Sequence, residues 1–242
     1  MERLDIYLHK IGLFPSRDKA KEAVQSGIIN IDGNICTKPS IKVDENNKIE
    51  VVGQTLKYVS RAGLKLEKAF NTWSINFNNK VVLDVGASTG GFTDFCIQNG
   101  ASKVYAVDVG TNQLHESLLH NPKVVNMQKT DFRTMPKLPE VIDICVCDCS
   151  FISLTLLSKK FEQVLTTGKE LIILIKPQFE CGKEIAQKTK GVIKDPSLQE
   201  NIKSKIINHF ETLNFKLIGS CDSPILGTAG NKEFLAYFIK QS

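Results

Sequence analysis

The chain lacks most of what a secreted, metal-holding or membrane-embedded protein is built on. Its seven cysteines are an odd number scattered over 242 residues with no Cys-x-x-Cys pair, which excludes a disulfide framework and leaves a zinc site without its usual ligands. The four histidines, His9, His115, His120 and His209, fall at no ligand spacing, so no metal is expected. Cys145, Cys147 and Cys149 alternate along a strand and read as small core residues in a reducing compartment. The longest purely apolar run, Leu171 to Ile175, is far below the about 20 residues that a membrane crossing needs. No alternating pattern of a membrane barrel is present either. The opening residues, Met1-Glu2-Arg3-Leu4-Asp5, are charged from the second position and contain no apolar signal segment, and the chain is expected in the cytoplasm. A net charge of +5 is too mild to name a partner, so the placement of the positive charges matters more than their sum. What remains is an ordinary globular composition, 42% hydrophobic, with length for one large or two smaller domains.

One stretch organises the rest. Lys80-Val-Val-Leu-Asp84-Val-Gly86-Ala87-Ser88-Thr89-Gly90-Gly91-Phe92 reads as a buried strand that breaks into a glycine turn and enters a helix near Gly91. Such turns hold nucleotide-like ligands in parallel α/β sheets, because glycine admits close approach and the helix offers unpaired N–H groups. The spacing Asp84-x-Gly86-x-x-x-Gly90-Gly91 is not the Gly-x-Gly-x-x-Gly of a dinucleotide site. An acid beside the turn repels a pyrophosphate but accepts hydrogen bonds from an amino-acid ammonium, so S-adenosylmethionine is the expected cofactor. Asp108 ends the next strand, Val104-Tyr-Ala-Val-Asp108, at about the distance along the chain where an acid grips ribose hydroxyls.

Residues 1–56 read as a small α+β module. Leu4, Ile6, Leu8 and Ile11 mark a short helix, Gly12-Leu-Phe-Pro15 breaks it, and Ser16 caps a second helix that ends near Gly27. Short strands follow at 28–31, around Ile35 and at 48–52. Arg3, Lys10, Arg17, Lys19, Lys21 and Lys38 concentrate in the helices and first hairpin. Residues 57–72 read as a basic connector, with Lys57, Arg61, Lys65 and Lys68 against Glu67 and with Ser60 as a helix cap. From residue 73 the chain is expected to form a doubly wound, mostly parallel seven-stranded α/β sheet. Its strands lie near 81–85, 103–108, 123–127, 141–148 and 171–176, and its helices near 91–99, 112–120, 153–166 and 197–211. A terminal antiparallel pair, Phe215 to Ser220 and Glu233 to Lys240, closes it.

Reactive groups in such sheets sit at the carboxyl ends of the strands. Asp148 and Lys176 end two of them, Glu233 opens the last, and Lys65 arrives from the connector. Two lysines and two acids beside a sulfonium suit methylation of a ribose 2′-hydroxyl, whose proton must leave as the methyl carbon arrives in line. A desolvated Lys176 accepts that proton, or stays charged and stabilises the oxygen.

Two resemblances give these residues names. Arg3-Leu-Asp5, Gly12, Ser16-Arg17, Ala20, Gly27 to Gly33 and Lys38-Pro-Ser40 resemble an S4 RNA-binding domain. By that resemblance Arg3, Arg17, Lys21, Lys38, Arg61 and Lys65 face RNA. Asp84 to Asp94, Val104 to Gly110, Asp148-x-Ser-Phe-Ile-Ser-Leu154, Lys176-Pro-Gln-Phe-Glu180, Gly191-Val-Ile-x-Asp195 and Gly230-Asn-x-Glu233 resemble the hemolysin A (TlyA) family. That family joins an S4 domain to a Rossmann-like methyltransferase domain similar to the FtsJ/RrmJ type. The resemblance implies a Lys65, Asp148, Lys176, Glu233 catalytic set and 2′-O-methylation of cytidine in the ribosomal RNA of ribosomal subunits. It also implies a cofactor site of Asp84, Gly86, Ala87, Ser88, Thr89, Gly90, Gly91, Phe92, Asp108, Val109, Asp131, Phe132 and Asp148. Asp131 departs from the family, which often has Asn there; an Asp cannot donate to an adenine ring nitrogen. The alternatives weighed against this are a pore-forming cytolysin, as the family name suggests, and an RNA-binding protein without catalysis.

Overall fold

The computed structural model describes every residue except Pro15, Ser26 and residues 53–56, with the side chains of Glu22 and Thr228 also left aside. The break expected at Pro15 and the module end expected at residue 56 therefore lie outside the described residues. The chain divides into two compact units, Met1–Arg61 and Ala62–Ser242.

In the first unit β1 (Glu2–Arg3) leads into α1 (Leu4–Lys10), followed by α2 (Arg17–Gln25), β2 (Ile29–Ile31), β3 (Asn34–Cys36), β4 (Lys42–Val43) and β5 (Ile49–Val51). Strand β2 lies between β3 and β5, antiparallel to both, and β1 pairs with β4. The β1–β4 pair was not expected, because two residues per strand are too few to show a period of two. Leu4 and Leu8, one helical turn apart, enter a core with Ala20, Ala23, Val24, Ile29 and Val43. Ile11, expected on that face, lies past the helix end and is exposed. Ser16 Oγ accepts the Lys19 N–H at 3.2 Å and caps α2 as its position suggested.

Asp5 is fully buried beside that core. Its two oxygens face Arg3 Nε at 2.9 Å and Arg17 Nε at 3.0 Å. The Arg3 hydrogen bonds, helped by Arg17, hold the carboxyl at about 2 against burial. A depressed acid stabilises the fold above its unfolded pKa, and that contribution is lost as pH falls through about 2.

The second unit opens with α3 (Gly63–Trp73) and alternates β6 (Val81–Val85), α4 (Gly91–Gln98), β7 (Lys103–Val107), α5 (Glu116–Leu119), β8 (Val124–Met127) and β9 (Ile144–Cys147). A 3-10 turn at Leu154–Leu156 precedes α6 (Ser158–Val164) and β10 (Glu170–Ile175). Then come α7 (Pro177–Glu180), α8 (Lys183–Lys188), α9 (Pro196–Glu211), β11 (Phe215–Asp222) and β12 (Phe234–Lys240). Among the described residues these strands form one seven-stranded sheet in the order β11-β12-β10-β9-β6-β7-β8. Only β12 runs against the others, pairing antiparallel with β10 and β11. Helices on both faces explain the unbroken apolar runs: Ile144 to Cys147 and Leu171 to Ile175 are all buried. Among the described residues no helix is long and apolar enough to cross a membrane.

The stretch expected to be a connector is corrected by α3. Leu66 and Ala69 are buried, the Phe70 ring lies 5.6 Å from Phe95, and the Trp73 ring lies 5.6 Å from Tyr237. This apolar stripe packs α3 into the second unit in spite of its lysines. Ser60 does not cap it; Ala62 holds the cap position without a side-chain hydrogen bond. Helix α5 is shorter than expected, and α7 and α8 were not expected at all.

Replacing Asp5 with Ala leaves two guanidinium groups without their shared carboxylate. Thermal melts of the full chain at pH 7 are expected to show the first unit destabilised by several degrees, with the difference closing as the pH approaches 2.

Candidate active site

The sheet order changes direction between β6 and β9: one neighbour series runs β6-β7-β8, the other β9-β10-β12. A crevice forms at the carboxyl ends of the strands at such a switch point. Here the two edges are Gly86, just past β6, and Asp148, just past β9. Gly86 has φ +82°, and a Cβ on it would stand 3.1 Å from the Asp148 carbonyl oxygen and 3.0 Å from Cys149 Sγ. Only glycine lets the turn pass so close to the neighbouring loop. The resulting cleft holds about 510 Å³ and is lined by Gly86, Ser88, Asp108, Asp131, Phe132 and Asp148, among others. That volume falls within the about 300–1,000 Å³ usual for small-molecule sites.

Asp108 reaches this cleft and ties its walls together. Its Oδ2 accepts the Ser88 N–H at 2.8 Å and its Oδ1 the Gly110 N–H at 2.7 Å. Each oxygen keeps a lone pair for a further donor. Val109 is exposed on the rim, whereas Phe132 is buried with its ring 4.6 Å from Phe161. Asp131 is committed to Arg133, whose Nη2 stands 2.6 Å from Oδ2 and whose hydrogen bonds lower its pKa. Ala87, Gly90, Gly91 and Phe92 are buried in the turn and the start of α4, and Thr89 is exposed. None of these five lines the cleft.

Asp84 differs most from expectation. It is completely buried, its Oδ2 accepts the Thr93 hydroxyl at 2.6 Å, and its Oδ1 has no hydrogen-bond partner. It is not among the residues lining the cleft. The side chain lies with Thr93 of α4. Burial pushes its pKa up to about 7, against the Thr93 hydrogen bond and with help from the negative charge of Asp148. An orphaned, buried carboxylate oxygen beneath a glycine turn suits a ligand that brings positive charge there.

The four groups named at the strand ends do meet. Lys65 Nζ lies 2.7 Å from Glu233 Oε2 and 3.5 Å from Asp148 Oδ2, and Lys176 Nζ lies 2.6 Å from Asp148 Oδ1. They form an unbroken chain of alternating charge, Glu233–Lys65–Asp148–Lys176, whose side chains are between 2% and 13% exposed. Strand register explains the convergence. Cys147 pairs with Ile173 and Ile175 with Phe234, so Asp148, Lys176 and Glu233 emerge from neighbouring strands at one edge. Lys65 is delivered by α3. Its ammonium is engaged by two nearly buried carboxylates, those of Glu233 and Asp148.

Sequence reasoning missed two supports of this set. Ser150 Oγ accepts a hydrogen bond from Lys176 Nζ at 2.8 Å. A Cβ at Gly227 would run into the Glu233 carboxylate, so that glycine makes room for it. The Asp-x-Ser spacing pointed at the first, and nothing local pointed at the second. Glu180 also braces the edge, accepting the Ser153 hydroxyl at 2.6 Å and the Leu154 N–H at 2.8 Å, with its pKa raised by burial. In the first unit Arg3 and Arg17 are bound to Asp5, while Lys21, Lys38 and Arg61 are exposed.

Comparison with known proteins places this geometry in a lineage. Residues 58–240 match the family described as FtsJ-like methyltransferase, and residues 2–49 match the S4 domain. Hemolysin A of Brachyspira hyodysenteriae is 41% identical over 240 residues, 98% of this chain and 99% of that protein. The 16S/23S rRNA (cytidine-2′-O)-methyltransferase TlyA of Mycobacterium tuberculosis is 34% identical over 245 residues, 99% of this chain and 90% of that protein. A solved structure from Streptococcus thermophilus that carries the hemolysin name is 38% identical with a TM-score of 0.79, covering 100% of this chain and 89% of its own.

The raised pKa of Asp84 has a measurable sign. An acid that stays protonated in the fold but ionises in the unfolded chain costs stability progressively from about pH 4 to about pH 7, and no more above that. Between pH 5 and pH 8 the protein without ligand is expected to lose about 2–3 kcal/mol that the Asp84→Asn variant keeps. Urea denaturation at the two pH values checks it.

Proposed function

The chain belongs to the FtsJ-like methyltransferase family, in the branch that carries an S4 domain, and from that premise we propose that it methylates the ribose 2′-hydroxyl of cytidine in ribosomal RNA. The observation that carries this reading is the buried chain Glu233–Lys65–Asp148–Lys176, which meets the cleft at Asp148. An RNA-binding protein without catalysis has no use for four ionised groups gathered at one sheet edge at the cost of desolvation. The hemolysin name is carried by relatives that align with this chain over nearly its whole length.

The cleft fits S-adenosylmethionine, which when bound supplies an electrophilic methyl group on a sulfonium. Asp108 would accept from its ribose hydroxyls, Asp131 and Phe132 would hold its base, and Gly86 would leave room for its amino-acid end near the orphaned oxygen of Asp84. On the substrate side, Asp148 holds Lys176 and Ser150 holds it a second time, so its Nζ has a fixed position. Lys176 would meet the 2′-oxygen as a positive charge, stabilising the oxygen as its proton passes to solvent and as the methyl carbon exchanges its bond to sulfur for one to oxygen. Lys65, braced by Glu233, fixes Asp148 from the other side and orients the ribose for in-line attack. The S4 unit, with Lys21, Lys38 and Arg61 exposed, supplies positive charge for RNA phosphates.

Mass-spectrometric mapping tests the reaction directly. Ribosomal subunits from a strain without this enzyme, incubated with protein and S-adenosylmethionine, should gain 2′-O-methylcytidine; no gain in either subunit removes the proposal. Lys176→Ala should lower turnover by about 10²–10³. Its cofactor dissociation constant in calorimetry should stay unchanged, because Lys176 does not line the cleft. Asp108→Ala should weaken cofactor binding by about ten-fold or more, through loss of charged hydrogen bonds; an unaltered constant would place the ribose elsewhere.

A further inference from the structure

The segment between β10 and α9 carries Lys183 and Lys188 at the two ends of α8, then Lys190 and Lys194 in the loop that follows, all exposed and none ion-paired among the described residues. The same stretch holds three acids. Glu180 is buried and occupied by the Ser153 hydroxyl and the Leu154 N–H, and Asp195 caps α9 by accepting the Ser197 and Leu198 N–H groups, which leaves Glu184. Lys190 has φ +51°, a left-handed position that glycine or asparagine occupies with less strain.

This loop is fastened to the catalytic edge. Asn231 is buried, its Nδ2–H donates to the Gly191 carbonyl at 2.9 Å, and its Oδ1 accepts the Ile193 N–H at 3.0 Å. Gln199 holds the Ile193 carbonyl from the other side at 2.7 Å. Asn231 stands two residues before Glu233, and the next residue, Phe234, pairs with Ile175 beside Lys176. The segment that delivers Glu233 therefore also fixes where Lys188, Lys190 and Lys194 stand.

We propose that Lys188, Lys190 and Lys194 form a rail that grips RNA phosphates flanking the target nucleotide, with Asn231 as the positioning residue that keeps the rail in step with the Lys65–Glu233 pair. The inference rests on the RNA-methylation reading and adds a second contact surface, on the catalytic unit itself. Phosphate is the matching partner because the rail offers lysine point charges without an ion-pair partner among the described residues.

The test uses the full chain carrying K188Q, K190Q and K194Q together, and separately N231A, with isolated ribosomal subunits as substrate across a salt series. The triple variant should raise KM by about ten-fold near physiological salt and reduce the slope of log affinity against log salt by about 2, from about 0.7 per lost single-strand contact. Its kcat at saturating RNA and its S-adenosylmethionine dissociation constant should match the parent. N231A should raise KM more than it lowers kcat, although no charge is removed. A triple variant with parental KM and salt slope would show the lysines to be merely solvated and overturn the proposal. So would loss of binding to anionic vesicles with RNA affinity intact, which would assign the rail to a lipid surface. A parent protein that neither binds nor methylates RNA would remove the methylation reading and this inference together, and the parent arm alone reveals it.

Discussion

Four charges nearly excluded from water at one edge of a sheet can persist only as a closed set. Removing an ammonium or a carboxylate from water costs several kcal/mol, and each of Glu233, Lys65, Asp148 and Lys176 recovers it chiefly from its neighbour in the charged set, with Ser150 adding a hydrogen bond to Lys176. Two positive and two negative groups also leave the cluster neutral overall. The constraint reaches far into the fold, since the partners come from α3, β9, β10 and β12. If α3 were a loose connector, Glu233 would be left buried without its cation. The packing of Phe70 on Phe95 and of Trp73 on Tyr237 is therefore part of the site.

The sequence displayed much of this. Parallel strands buried on both faces show as apolar runs, and a polar residue that ends such a run is at the edge where ligands bind. That is why Asp148, Lys176 and Asp108 could be picked out, together with the order of helices and strands and the antiparallel close. What stayed hidden depends on contacts across the chain. The lysines of residues 57–72 looked like a solvated connector, because local composition does not reveal that the stripe through Leu66, Ala69 and Phe70 has a surface to cover. The Asp84 side chain was expected to face a ligand, yet it lies with Thr93, nine residues on, which a strand-period argument cannot foresee. The pairing of Arg17 with Asp5, twelve residues earlier, was hidden for the same reason.

The acids around the cleft divide by what surrounds them. Asp108 accepts two backbone N–H groups and lies open to a ligand, a setting suited to hydroxyl donors. Asp148 is neutralised by lysines on both sides. Asp84 has only one hydroxyl and is pressed by burial and by Asp148 towards its neutral form. Two acids that line the crevice and one buried beneath its glycine turn thus differ in charge and task because their nearest partners differ, which is how a single site can hold a cationic donor on one side and manage an alcohol on the other.

The segment from Gly227 to Glu233 links these tasks physically. Gly227 leaves the space that the Glu233 carboxylate occupies, and its N–H donates to the Asn231 carbonyl at 2.8 Å. Asn231 in turn uses its side chain on the backbone of residues 191 and 193. One short turn therefore sets both the acid that steadies Lys65 and the loop that carries the unpaired lysines. A shift in this turn would move the two together, so a substrate pulled onto the lysines is pulled towards the same frame that holds the reacting oxygen. Binding energy from a remote part of an RNA can in this way be turned into orientation at the ribose, where alignment of the attacking oxygen governs the rate.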